Sequence, residues 1–146
     1  MNTVPTIDRF RRTVSLTSRY GDLDADNLLS ETALLRYLEQ ARSHALIELL
    51  KECDIDLQCE DSSIGMLIAH VSVEILRHAT PGPEIRLASC VSRIGTSSVQ
   101  LQVGIFSEGH CLAVADNVLV FIARATGRPT ELPAILRERL QAAMCA

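Results

Sequence analysis

The chain has 146 residues, about the length of one domain, and carries 14 Lys and Arg against 18 Asp and Glu, a net charge of −4. Apolar residues make up 47% and charged residues 22%, enough to build a core, yet aromatics supply only 3% and Trp is absent. Aliphatic side chains must fill that core, and neither a base-stacking surface nor a polyanion-binding face is expected, so nucleic acid is not an expected partner.

No run of about 18 apolar residues occurs, so no membrane-spanning helix is predicted. Met1 to Arg12 is polar and proline-punctuated, unlike a signal peptide. Residues 11–19 alternate Val14 and Leu16 with polar neighbours and predict a half-buried strand. Residues 20–29 read as a loop with Gly21 and three aspartates. From Ser30 to Cys53 there is neither Gly nor Pro, and Leu34, Leu38, Ala41, Ala45 and Leu49 recur at helical spacing. Ser30 is a good N-cap and Glu31 complements the helix dipole. A helix this long is buried only by lying against something equally long.

Residues 54–63 form an acidic polar connection. Strands are predicted at 65–79, 84–94, 98–106 and 111–123, separated by Thr80-Pro81-Gly82-Pro83, by Gly95 and by the Glu108-Gly109 turn. The last is almost continuously apolar, as a central strand covered on both faces would be. After Thr126-Gly127-Arg128-Pro129, a short helix starts near Pro133. One strand, one long helix and four strands joined by short turns imply a single α+β domain over 1–146, with an antiparallel sheet wrapped round the helix. Such a sheet leaves a strand edge and an apolar face open, which predicts a homodimer or homotetramer.

The five cysteines (Cys53, Cys59, Cys90, Cys111, Cys145) are scattered and lack metal-site spacing; they read mostly as small buried apolar residues in a reducing compartment, with the cytoplasm as address. His44, His78 and His110 have no partner spacing, and His70 reads as a core histidine within a strand. The loop Asp22-Leu23-Asp24-Ala25-Asp26-Asn27 begins like a calcium loop. It then fails, with Asn27 at the turn glycine and Ala33 at the final Glu. A carboxylate just before a helix start can instead act as general base or nucleophile, beside free N–H groups that stabilise an oxyanion. This places Asp24 near the backbone N–H groups of Leu28 to Glu31.

The stretch Arg19-Tyr20-Gly21-Asp22-Leu23-Asp24-Ala25, followed by Leu35-Arg36-Tyr37-Leu38-Glu39-Gln40-Ala41-Arg42, resembles the loop and central helix of hotdog-fold acyl-CoA thioesterases of the 4-hydroxybenzoyl-CoA thioesterase type. Arg93-Ile94-Gly95-Thr96-Ser97-Ser98 and the tail Gly127-Arg128-Pro129 with Leu132-Pro133 extend the resemblance over about residues 11–140. The resemblance implies a hotdog fold and hydrolysis of an acyl-CoA or acyl-carrier-protein thioester, without metal or organic cofactor. By position, Asp24 matches the family's catalytic aspartate, which activates water or attacks the carbonyl, and Asp22 matches a loop-ordering residue. Many members have Gly-His where this chain has Asn27-Leu28. Asn27 tolerates the left-handed turn, and the oxyanion contact falls to backbone N–H groups such as that of Leu28.

Arg42 projects into the apolar stripe of the helix with Glu39 on its flank, so an Arg42–Glu39 pair is expected to tie the helix to the sheet or to a second subunit, or to order the catalytic loop. Ser97 and Ser98 resemble the family's subunit-contact segment near the active site. Arg77, Arg93 and Arg128 are candidate contacts for coenzyme A phosphates. Two other classes stand beside this reading: a non-catalytic acyl-CoA binding or sensing module, and a dehydratase, which usually needs a histidine that this loop lacks.

Overall fold

In the computed structural model, which describes residues 3–146, Ser30 caps the long helix: its hydroxyl accepts the Ala33 N–H at 3.0 Å. Helix α1 then runs Glu31–Glu52. It buries Ala33, Leu34, Tyr37, Leu38, Ala41, Ala45, Leu46 and Leu49, one stripe at i, i+3 and i+4 spacing. At 1.5 Å per residue the helix is about 33 Å long.

Five strands follow one antiparallel scheme: β1 (Arg12–Leu16), β2 (Ile64–Ile75), β3 (Ile85–Ile94), β4 (Ser98–Ser107) and β5 (His110–Ala123), in the order β1-β3-β4-β5-β2. β1 is shorter than predicted, because the chain turns into a 3-10 helix at Tyr20–Asp22. A short α2 (Ala134–Ala142) closes one end. The helix lies across β3, β4 and β5, a hotdog fold in which its first half packs on Ile85, Leu87, Val103, Ile105 and Leu112 and its second on Val91, Val99, Leu101, Leu119 and Phe121.

β2 is the exception to the wrap. Beyond Gly65 and Met66 its residues are exposed, and Leu67, Ile68, Val71, Val73 and Ile75 are among the large exposed apolar side chains. A register shift between Ile68 and His70 explains the pattern. Ile68 faces Leu119, while after the bulge Val71, Val73 and Ile75 face Asn117, Ala115 and Ala113. The extra residue thus keeps two runs of apolar side chains on the helix side and turns His70 away from it. His70 is therefore not a core histidine but an exposed residue of an edge strand.

Part of the opposite face of the sheet is covered by the two ends of the chain. Phe10, Ala88, Cys90, Phe106, Cys111 and Val114 cluster there, with Ile7 and Cys145 against them. The rings of Phe10 and Phe106 meet edge-on, 5.5 Å apart, over Gly104, where a Cβ would lie 2.9 Å from Phe106 and 3.1 Å from Phe10. Cys90 and Cys145 form a disulfide that pins the C-terminal tail to β3, beside the Cys145 N–H to Val91 carbonyl bond of 2.8 Å. This corrects the reading of the cysteines: only Cys53 and Cys111 are free buried thiols, Cys59 is exposed, and the pair removes the cysteine argument for a reducing compartment. No described helix is long and apolar enough to cross a membrane.

A bridge across 55 residues restricts the unfolded chain by about 4 kcal/mol in loop-closure entropy. Denaturant unfolding with and without reductant, and of Cys145→Ser, is expected to show a loss of that order; equal midpoints would mean that the tail contributes nothing.

Candidate active site

Residues 19–30 fold into a closed loop at the start of α1. The Asp22 carboxylate, 5% exposed, accepts the Tyr37 hydroxyl at 2.7 Å and the Arg19 N–H at 2.9 Å, while its own carbonyl accepts the Ser30 N–H. Burial pushes this carboxyl up. The Tyr37 hydroxyl, the Arg19 N–H and the charges of Arg19 and Arg36 outweigh it and hold the group below its ordinary value. Burial and the neighbouring carboxylate push the Tyr37 phenol up, so it stays a hydrogen-bond donor.

Asp24 sits two residues on and is exposed. Its Oδ1 accepts the N–H groups of Asp26 at 2.8 Å and Leu28 at 3.0 Å; Oδ2 has no partner among the described residues. The Asp24 N–H donates to the Leu28 carbonyl at 2.8 Å, which closes the ring. Asn27 makes the turn with φ at 60°, a left-handed conformation that a β-branched residue resists.

The N–H groups expected to face an oxyanion are mostly engaged. Leu28 donates to Asp24, Leu29 to the Ala79 carbonyl at 2.9 Å and Ser30 to the Asp22 carbonyl at 2.9 Å. Only Glu31, at the first helical position, lacks a partner among the described residues.

The family model of the thioesterase-like superfamily matches residues 18–140. The chain belongs to the thioesterase-like superfamily. No curated protein matches it. A Pseudomonas aeruginosa protein is 23% identical, with 99% of each chain covered and a TM-score of 0.80. A thioesterase of Thermus thermophilus, solved with coenzyme A and zinc, is 26% identical over 92% of this chain and 95% of that one, with a TM-score of 0.72. A 1,4-dihydroxy-2-naphthoyl-CoA thioesterase of Synechocystis is 16% identical over 88% of this chain and 94% of that one, also at 0.72.

Within one copy of this thioesterase-like chain, the predicted site residues fall at two ends of the sheet. Asp22, Asp24, Asn27 and Leu28 lie at the end where β4 finishes and β5 begins, and Arg77 follows β2 at that same end. Ser97, Ser98, Arg93 and Arg128 lie at the other end, where Phe121 N–H bonds the Ser97 carbonyl and Ala123 N–H bonds the Arg128 carbonyl. β4 alone, Ser98–Ser107, separates these ends by about 30 Å.

Glu39 and Arg42 occupy a third place, the flank of α1 facing β2. Arg42 Nη2 lies 4.0 Å from Glu39 Oε1, a loose contact, whereas Nη1 donates to Asn117 Oδ1 at 3.3 Å. Helix is thus tied to sheet chiefly through Asn117 of β5, not through Glu39, whose side chain is 67% exposed. Together with Leu35, Leu38, Val71, Val73 and Ala115 they line a groove of about 310 Å³ that contains no aromatic ring.

Tyr37 and Asn117 were not singled out as site residues by sequence. A tyrosine in an otherwise aliphatic helix stripe requires a partner for its hydroxyl, and that requirement was the available signal. The buried thiols offer no nucleophile: burial pushes Cys111 up to about 11, and burial also raises Cys53. No three His, Cys, Asp or Glu side chains converge on a metal-sized site among the described residues.

The turn at Asn27 makes a direct prediction. Asn27→Gly keeps the loop, whereas Asn27→Val costs about 1–2 kcal/mol on chemical denaturation and slows thiol release, because it forces a branched residue into the left-handed region.

Proposed function

We propose that the chain hydrolyses acyl-coenzyme A thioesters, with Asp24 as the reacting carboxylate and a second copy of the chain completing each site. The observation that carries this reading is the state of Asp24, with Oδ1 held by two backbone N–H groups and Oδ2 exposed at the foot of α1. A carboxylate so held keeps its orientation without reorganising during the reaction.

Oδ2 takes a proton from a water molecule whose oxygen attacks the thioester carbonyl, or attacks that carbonyl itself. The tetrahedral oxyanion is met by backbone N–H groups at the helix start. Glu31 N–H, which has no partner among the described residues, serves this, while Leu28 N–H stays on Asp24 Oδ1 and holds the carboxylate in place. On the water route the C–S bond then breaks, the thiolate takes the proton held by Asp24, and the acyl group leaves as the acid, which gives its proton to solvent. On the direct route the departing thiolate takes a proton from solvent and a water molecule splits the Asp24–acyl anhydride, restoring the carboxylate and releasing the acid. The occupied Leu28 N–H also favours a second reading, an acyl-CoA binding module without turnover. The apolar part of the groove beside α1 is aliphatic (Leu35, Leu38, Val71, Val73, Ala115), and Phe10, Phe106 and Phe121 all pack elsewhere, which favours an aliphatic acyl group over an aromatic one.

The second copy follows from where the residues lie. Antiparallel pairing of two β2 edges reverses one sheet against the other, covers Val71, Val73 and Ile75, and carries one copy's far end to the other's Asp24 loop. The partner's Ser97, Ser98, Arg93 and Arg128 then contribute the contacts to coenzyme A, beside Arg77 of the first copy.

Asp24→Ala is expected to lose thiol release against acyl-CoAs by at least a hundredfold while still binding a non-hydrolysable acyl-CoA thioether. Turnover at the parent's rate would eliminate the mechanism, and saturable binding with no turnover in the parent would establish the binding module. Single-turnover hydrolysis in oxygen-18 water, read as label in Asp24, separates direct attack from water activation. A mixing experiment tests the shared site. An Asp24→Ala chain and an Arg93→Glu, Arg128→Glu chain, each inactive alone, regain activity when refolded together. No recovery despite mixed dimers would place the whole site within one copy.

A further inference from the structure

We propose that Tyr37 is a positioning residue, acting through Asp22 to hold Asp24 and its ring of backbone donors in the orientation that reacts. The inference rests on the reading of Asp24 given above and extends it to a side chain that makes no contact with substrate.

Tyr37 lies two turns into α1, on the stripe packed against the sheet, and is 3% exposed. Its ring is held by the helix and by the core cluster that it shares with Leu34, Leu38, Ile85 and Ile105. Asp22, 5% exposed, receives that fixed hydroxyl at 2.7 Å on the same oxygen, Oδ2, that accepts the Arg19 N–H. The Asp22 backbone carbonyl receives Ser30 N–H, and Leu23 bridges to Leu29. Asp22 therefore joins the rigid helix to the first and last residues of the loop, and Asp24 is carried between those fixed points.

Asp24 itself touches nothing rigid. Its side chain bonds only the N–H groups of Asp26 and Leu28, both within the loop, through a turn that depends on a left-handed Asn27. The loop is anchored in the core by the apolar side chains of Leu23 and Leu29, and the Asp22–Tyr37 bond is its polar side-chain tie to the buried stripe of α1. The groups that face the Asp22 carboxylate are Tyr37 from α1, Arg19 from the loop and, at longer range, Arg36 of α1. Removing the hydroxyl leaves burial opposed by fewer favourable contacts, so Asp22 takes up a proton at higher pH than in the parent and loosens its hold on Arg19.

The test is Tyr37→Phe, which keeps the packed ring. kcat is expected to fall about ten- to a hundredfold with KM unchanged, and the acid limb of the pH–rate profile moves to higher pH. Amide hydrogen exchange of Asp26 and Leu28 accelerates, while the α1 core amides exchange as in the parent. Asp22→Asn, which retains an acceptor but cannot ionise, is expected to lower kcat without moving the acid limb. Unchanged kcat, acid limb and Leu28 exchange in Tyr37→Phe would overturn the proposal, as would a fall in melting temperature with no change in these three. Asp24→Ala run in parallel separates the two levels. If that variant is inactive and Tyr37→Phe is not impaired, the positioning role fails and the Asp24 reading stands. If Asp24→Ala retains full turnover, the Asp24 reading fails first.

Discussion

A 22-residue helix with an apolar stripe along its whole length must be covered, and the sheet of one chain covers it only over β3, β4 and β5. The rest of the molecule is arranged around that shortfall. β2 extends the sheet past the helix, and the bulge after Ile68 keeps its apolar residues facing the uncovered side. Leu35 and Ile47 of α1 and Val71, Val73 and Ile75 of β2 remain exposed at a level that an isolated chain gains nothing from. The groove between them is lined by aliphatic side chains with Glu39, Arg42 and Asn117, and Arg42 donates to Asn117.

The same helix organises the polar contacts at its N-terminal end. At the helix start the Ser30 hydroxyl takes the Ala33 N–H, the N–H groups of Glu31 and Thr32 have no partner among the described residues, and the N–H groups of the loop before it are claimed by the carbonyls of Asp22 and Ala79 and by the Asp24 carboxylate. The loop is therefore a set of mutual constraints in which two aspartates do opposite work. Asp22 is buried, with one oxygen tied to the helix through the Tyr37 hydroxyl, and Asp24 is exposed, with one oxygen tied only to N–H groups of the loop. Their environments separate them, although the sequence around each is almost the same.

Much of the architecture was legible before any coordinates. The limits of α1 follow from the Ser30 cap and from the absence of Gly and Pro up to Cys53, which ends it. Strands β3, β4 and β5 follow from alternation and from the turns at Gly95 and Glu108-Gly109. What could not be read depends on register. His70 looked internal because the bulge beside it is set by pairing with β5, which alternation alone does not report. The Cys90–Cys145 bridge joins a strand to a tail that packs on the far side of the sheet, and no spacing rule brings the two together. Asp24 was visible from its place before the helix. Its separation from Ser97, Ser98, Arg93 and Arg128 was not, because that distance belongs to the sheet and not to the chain.

The outer face of the sheet has a consequence for how copies of this chain can be stacked. Sheets that pack face to face do so about 10 Å apart, with side chains of both interleaved. Over Ala88, Cys90, Gly104 and Val114 that layer is already filled from within by Phe10, Phe106 and Ile7 and is latched by the tail at Cys145. Gly104 lets the Phe10 ring lie flush on the strands, so the covering cannot be thinned by small shifts. Copies that stack sheet to sheet must therefore meet on the rest of that face, where Gln100, Gln102, Asp116, Val118 and Val120 lie, unless both termini first peel away.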